Sequence, residues 1–133
     1  MRSAVPVLVL AIVLGVAACG SIRTPPPDGA APGVVARAYL DALVAGDCAA
    51  TRALLANDDN PAMNDLCGIG RVDAYRDLVG PAGTAVDVTF GVTLALRDMP
   101  RTSGWPDGDA DVFLKLVRVP GGPWRVTGVG SGP

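Results

Sequence analysis

The side chains of this 133-residue chain that could do chemistry are mainly cysteines, aspartates and tyrosines. The chain has three cysteines and two tyrosines, contains no histidine, and uses aspartate for all of its acidic residues. Metal-dependent catalysis and histidine-assisted nucleophilic catalysis therefore lack their usual residues.

The N-terminal residues have the pattern of an export signal. Arg2 gives a basic start, an apolar stretch runs from Ala4 to Ala18, and small residues close it. A membrane-spanning helix needs about 20 apolar residues, whereas this stretch is shorter and is interrupted by Pro6. The sequence therefore predicts a cleaved signal peptide over residues 1–18.

Cys19 closes the run Val16-Ala17-Ala18-Cys19 at the end of this stretch. The run resembles the lipobox of bacterial lipoprotein signal peptides, in which the cysteine thiol receives a diacylglycerol thioether and becomes the first mature residue. The resemblance implies lipid attachment at Cys19 and a protein anchored in the cell membrane on its extracytoplasmic side, because two or more acyl chains hold a protein there stably. An ordinary signal peptide with an incidental cysteine is the alternative.

Lipidation of Cys19 would leave Cys48 and Cys67 as the remaining cysteines. An exported protein meets an oxidising environment, in which a leftover thiol needs an explanation. We therefore expect a Cys48–Cys67 disulfide, with two free buried thiols as the alternative. Two thiolates without a histidine cannot complete a tetrahedral zinc site, so we expect no metal and no other cofactor.

Charge and composition limit the partners and the number of domains. Cleavage would remove one of the 11 basic residues, leaving 10 against 13 acidic residues and a formal charge of −3. The chain has no basic run, and nucleic acid is an unfavourable partner because phosphate binding requires clustered Lys and Arg. Residues 19–33, rich in proline and glycine, predict a tether, and residues 34–131 are sufficient for a single domain.

Apolar residues recur at helical spacing from Val34 onwards. This pattern predicts a first helix that ends at Gly46 and a second helix from Cys48 to about Ala56, capped by Asp47. It also predicts a third helix from about Val72 to Val79.

The apolar period then changes to two. The alternation predicts strands over Val86–Arg97, Ala110–Val119 and Trp124–Val129. Helices followed by an antiparallel meander predict an α+β domain, with N-terminal helices packed on one face of a curved antiparallel sheet of three to four strands.

Two short segments, Ala38–Asp47 and Gly122–Val126, add a family to this prediction. The first is a helix that ends in Gly-Asp before a second short helix, and it resembles the start of nuclear-transport-factor-two-like domains. The second opens the last strand and is similar to their final strands. The resemblance spans about Val34 to Gly130 and implies a cystatin-like α+β cone, in which three helices close one face of a strongly curved sheet, often around an apolar pocket.

The same resemblance introduces an enzyme as the alternative function, a small-molecule isomerase similar to ketosteroid isomerase. Such chemistry needs an aspartate base inside an apolar cavity and a tyrosine or acid donor opposite a developing oxyanion. The predicted elements turn Asp41, Asp73, Asp77 and Asp87 away from the apolar faces, so we expect no catalytic residues. A pocket inside the cone would be lined by Tyr39, Tyr75, Val88, Phe90 and Val92.

The Ala110–Val119 strand is apolar on both faces. Phe113 and Val117 are therefore expected on the open side of the sheet, as a face for an envelope protein or a second copy of the chain. The alternative is that the C-terminal tail or the preceding loop covers them, with Trp105 as the candidate covering residue. The sequence thus predicts a membrane-anchored, non-catalytic binding or interaction module. Two alternatives stay open: an apolar small ligand in the cone, or a protein partner on the sheet.

Overall fold

A computed structural model of the chain describes residues 23–56 and 66–131. Cys19 and the predicted signal peptide lie outside the described residues. The described elements are α1 (Pro32–Ala45), α2 (Cys48–Ala53), β1 (Arg71–Gly83), β2 (Asp87–Arg97), a 3-10 turn (Arg101–Ser103), β3 (Gly108–Val117) and β4 (Arg125–Gly130). The predicted α+β class is confirmed. In this part of the chain, no helix combines the length and the apolar character that crossing a membrane requires.

The two helices form where their end signals predict. α1 begins at Pro32, two residues before the predicted start, because proline needs no N–H partner in the first helical turn. Gly46 ends α1 in the left-handed conformation, with φ of 67°. The Asp47 carboxylate then accepts a hydrogen bond from the Ala50 N–H at 3.0 Å, which caps α2.

The predicted third helix over Val72–Val79 is wrong, because these residues belong to strand β1, which pairs antiparallel with β2. The register of β1 shifts at three places, so that Val72 opposes Leu96 while Tyr75 opposes Leu94. Three residues of β1 thus span two residues of β2. Each extra residue delays the return to the inner face, and the apolar spacing of about three imitates a helix.

The four strands form one open sheet in the order β1-β2-β3-β4. β2 and β3 pair without a register shift from Asp87–Val117 to Leu96–Gly108. The predicted upper limit of four strands is therefore met, and the additional strand is β1, which covers the residues predicted to form the third helix. β2, β3 and β4 each begin within two residues of a predicted strand.

The core lies on the inner face of the sheet. Inward side chains of β2 and β3 join residues of α1 in one buried cluster, in which Leu94, Leu114 and Leu116 have 0% exposure. Trp124, which directly precedes β4, and Val126 of β4 also belong to this cluster. The interior that a cone would offer to a ligand is filled by these side chains.

The predicted disulfide is present between Cys48 and Cys67, whose Cα atoms are 5.4 Å apart. Cys48 is the first residue of α2, and Cys67 lies just before β1. The bond therefore fixes the start of the sheet to the start of the second helix.

Candidate functional site

Within residues 23–56 and 66–131, the residues predicted to line a pocket do not surround one. Tyr39, Val88, Phe90 and Val92 are buried in the core cluster, with exposures between 0% and 5%. Four cavities bordered by described residues are lined by other side chains, except that Val92 borders one of them on the outer face of the sheet. Most of the residues predicted to line a pocket therefore pack in the core.

Tyr75 lies at the margin of the core and connects the sheet to a helix. Its hydroxyl donates a hydrogen bond to Asp41 Oδ1 of α1 at 2.9 Å. Burial, this hydrogen bond and the negative charge of Asp41 raise the pKa of Tyr75. Tyr75 therefore stays protonated and keeps donating. The sequence gives no signal for this pair, because the predicted third helix misplaced Tyr75.

The other aspartates weighed as catalytic bases lie on the surface and form ion pairs. Asp73 binds Arg97 at 3.0 Å, Asp87 binds Lys115 at 3.4 Å, and Asp77 lies 3.5 Å from Arg76. These paired, solvated carboxylates act as surface charges.

Phe113 lies on the outer face of the sheet, between the buried residues Val112 and Leu114. It is half-buried, and neither it nor Val117 packs against the core cluster. Its cross-strand partners are Gly91 on β2 and Gly130 on β4. The residue directly opposite Phe113 on each neighbouring strand therefore has no side chain to cover the aromatic ring.

The surface beside Phe113 is open. A Cβ built on Gly91 would meet nothing within 4 Å. Phe113 borders two shallow clefts, one of about 210 Å³ on the β1 side and one of about 340 Å³ on the β4 side. Trp105, the predicted cover, packs against the core cluster and borders neither cleft. We call Phe113, Gly91, Gly130 and the two clefts the outer-face site.

Polar groups surround the outer-face site and are paired with one another. Arg76 donates two hydrogen bonds to Asp109, at 3.1 and 2.7 Å, and Thr93 donates one to Asp111 at 2.7 Å. The Arg76 guanidinium lowers the pKa of Asp109. The outer face thus combines a central aromatic residue with a satisfied polar rim, as protein interfaces do.

A separate cavity lies on the helix side of the domain, beside a segment that the sequence predicted to be only tether. It has a volume of about 500 Å³ and lies between the Arg23–Pro26 segment and the two helices. Its lining residues are Arg23, Thr24, Pro25, Pro26, Ala38, Asp41, Asp47, Ala49, Ala50, Ala53 and Leu54. We call it the helix-side cleft.

No metal centre is apparent within residues 23–56 and 66–131, where no group of three or more Cys, Asp, Glu or His residues could hold an ion. Comparisons with protein-family models, with curated proteins and with solved structures give no match for the chain. Functional inference therefore depends on the geometry described above.

Proposed function

We propose that the protein is a lipid-anchored, extracytoplasmic docking module without catalytic activity, which binds an envelope protein through the outer-face site. The observation that carries this proposal is Phe113, half-buried on an open sheet face between Gly91 and Gly130. Glycine inside a strand weakens it, and often marks a place where another molecule approaches closely. Aromatic residues are enriched at the centres of protein interfaces.

The filled interior supports docking over a ligand held in the cone. Buried residues from α1, β2, β3 and β4 pack together in one cluster, and Leu94 and Leu114 have no exposed surface. A drug-sized ligand needs a cavity of about 300–1,000 Å³. A ligand in the cone would therefore have to displace core side chains, whereas a partner on the sheet displaces only water.

The proposal includes a reduced nuclear-transport-factor-two-like cone. Two helices precede a four-stranded antiparallel meander, and α1 residues share the core cluster with the strands. This arrangement supports a cone closed by two helices, with β1 in the place of the third. It also includes acylation of Cys19, supported by the sequence pattern of residues 1–19.

Site-specific photocrosslinking tests the docking proposal. A photoreactive phenylalanine analogue at position 113 of the full chain, expressed in membranes, should give one adduct of defined mass. The same analogue at Val34, 49% exposed on α1, is the matched control and should not give that adduct. Phe113→Asp should abolish association with the protein found in the adduct and leave the unfolding midpoint unchanged. An adduct that forms equally from Val34, or an association that survives Phe113→Asp, would contradict the proposal.

A further inference from the structure

The helix-side cleft has the size and the walls of a small-molecule site. Its volume of about 500 Å³ falls within the range of known ligand pockets, which is about 300–1,000 Å³. The helix wall is formed mainly by alanine side chains, with Leu54 beneath them. The opposite wall carries Pro25 and Pro26, which have no backbone N–H to offer. Most of the lining therefore presents apolar groups.

Two carboxylates border the cleft and are held in place by neutral donors. Asp41 Oδ1 accepts from the Tyr75 hydroxyl at 2.9 Å, and Asp47 Oδ1 accepts from the Ala50 N–H at 3.0 Å. Among the described residues, neither carboxylate has a cationic partner within 4.0 Å. This differs from Asp73, Asp87 and Asp109, each of which has such a partner.

The charges of the lining favour a cation. Asp41 and Asp47 belong to the helix wall, and Arg23 on the opposite wall is the one basic residue among the described lining residues. The described part of the lining therefore carries a net charge of −1. An ammonium group can donate to a carboxylate of the helix wall, while an apolar body fills the space between the alanines and the prolines.

We propose that the helix-side cleft binds an organic monocation with an apolar body. The cleft lies on the helices and the outer-face site lies on the sheet, so this proposal does not depend on the docking function. Ligand and protein partner would then be bound at separate places on one domain.

The test compares three six-carbon probes that share one apolar body: hexylammonium, hexanol and hexanoate. Each is titrated into the full chain in lipid nanodiscs, and binding is followed by the amide NMR shifts of Ala49, Ala50 and Ala53. Hexylammonium should bind up to about fivefold more tightly than the other two probes, the upper end of the range expected for an exposed ion pair. This preference should shrink as the salt concentration rises, because salt screens exposed charges.

Two variants separate charge from shape. Asp41→Asn with Asp47→Asn removes both charges but keeps both acceptors, since asparagine caps a helix as well as aspartate does. This double variant should no longer bind hexylammonium more tightly than hexanol or hexanoate, because Arg23 is then the only charged residue among the described lining residues. Ala53→Phe, at an exposed position of α2, should fill the cleft and weaken all three probes. Amide shifts in β2 and β3 report whether each variant is folded.

Three results would overturn the proposal: no shift with any probe, hexanoate or hexanol binding as tightly as hexylammonium, or a preference that survives in the folded double asparagine variant. Crosslinking from position 113 is measured on the same variants. Loss of the preference for hexylammonium, with crosslinking intact, is the result expected of the double variant. If the chain that carries only the photoreactive analogue at position 113 gives no adduct, the docking function alone would be contradicted.

Discussion

At the scale of single residues, the outer-face site depends on what is missing beside Phe113. Gly91 opposes Phe113 on β2, and the space above Gly91 is empty. A β-branched side chain there would pack against Phe113 and improve the strand. The domain keeps a glycine at a position where stability alone would favour threonine or valine.

Gly91→Thr should therefore stabilise the domain by up to about 1 kcal/mol, the span of the strand propensity scale, while weakening crosslinking from position 113. Urea unfolding measures the first effect. Gly83→Thr is the matched control on β1: Gly83 has φ of 145°, and a Cβ there would collide with the Asp87 backbone. The control should lose stability. A Gly91→Thr domain that is less stable than the original would show that the glycine has a structural role.

The Arg76–Asp109 pair gives a pH-dependent prediction. The guanidinium lowers the pKa of Asp109 in the folded state, so the pair stabilises the fold above the unfolded pKa of that carboxyl. The stabilisation is lost as pH falls through the folded pKa. Arg76→Ala should raise the pKa of Asp109 towards its ordinary value, as carboxyl carbon NMR titration would show. Arg97→Ala, which removes the partner of Asp73, is the control and should leave the pKa of Asp109 unchanged.

The Tyr75–Asp41 hydrogen bond predicts a change in phenol ionisation. Burial, the hydrogen bond and the charge of Asp41 together raise the pKa of Tyr75, so Asp41→Ala should lower it while leaving the contribution of burial. Ultraviolet titration of tyrosinate measures the shift. Tyr75→Phe identifies which of the two tyrosines titrates. An unchanged titration in Asp41→Ala would mean that the hydrogen bond does not form in solution.

At the scale of elements, the Cys48–Cys67 disulfide joins α2 to the start of β1 across a sequence separation of 19 residues. Closing a loop of this length removes entropy from the unfolded chain. Replacing both cysteines with alanine should lower the free energy of unfolding by about 3 kcal/mol in the chain-entropy model.

Urea unfolding of the double alanine variant checks this value. The reduced original protein is the control and should unfold near the same urea concentration as the variant. If the oxidised protein and the variant unfold together, the bond contributes nothing to stability.

The two edge strands of the sheet, β1 and β4, differ in what hinders other chains from pairing with them. β4 is covered at Val126, whose N–H donates to Leu54 and whose carbonyl accepts from Ala56. β1 carries three register shifts, and Asp77 within it has φ of 56°. Irregular edge strands resist pairing with other chains. We therefore expect partners to approach the face of the sheet rather than its edges.

At the scale of the whole molecule, the domain offers two unlike surfaces. The sheet presents an aromatic residue within a paired polar rim, and the helices present a cleft with two carboxylates that lack ion-pair partners among the described residues. Arg23, which borders that cleft, lies four positions after Cys19 in the chain. Anchoring at Cys19 would bring the helix-side cleft near the membrane.

Cys19→Ala should release the protein from the membrane, because the acyl chains would be the only proposed anchor. Fractionation of cells measures the release. Mass spectrometry of the unaltered protein should show a diacylglyceryl adduct on an N-terminal Cys19. Cys48→Ala, which removes a different cysteine, should leave the protein membrane-bound. An unmodified Cys19, or a variant that stays in the membrane fraction, would contradict lipid anchoring.

The sequence by itself determined the features that depend on local signals. Gly46 and Asp47 placed the helix boundary, strict alternation identified β2, and the number of cysteines identified the disulfide pair. Each of these depends on backbone preferences or parity within a short stretch. The lipid attachment of Cys19 stays a prediction.

Only the tertiary structure decided the character of β1, the filling of the core and the helix-side cleft. Three register shifts gave β1 a helix-like spacing that no short window can distinguish from a helix. Whether Tyr39 and Phe90 line a pocket or fill a core depends on how closely distant elements approach. The cleft exists because Arg23–Pro26 lies beside α1 and α2, and contacts between distant segments leave no periodicity in a sequence.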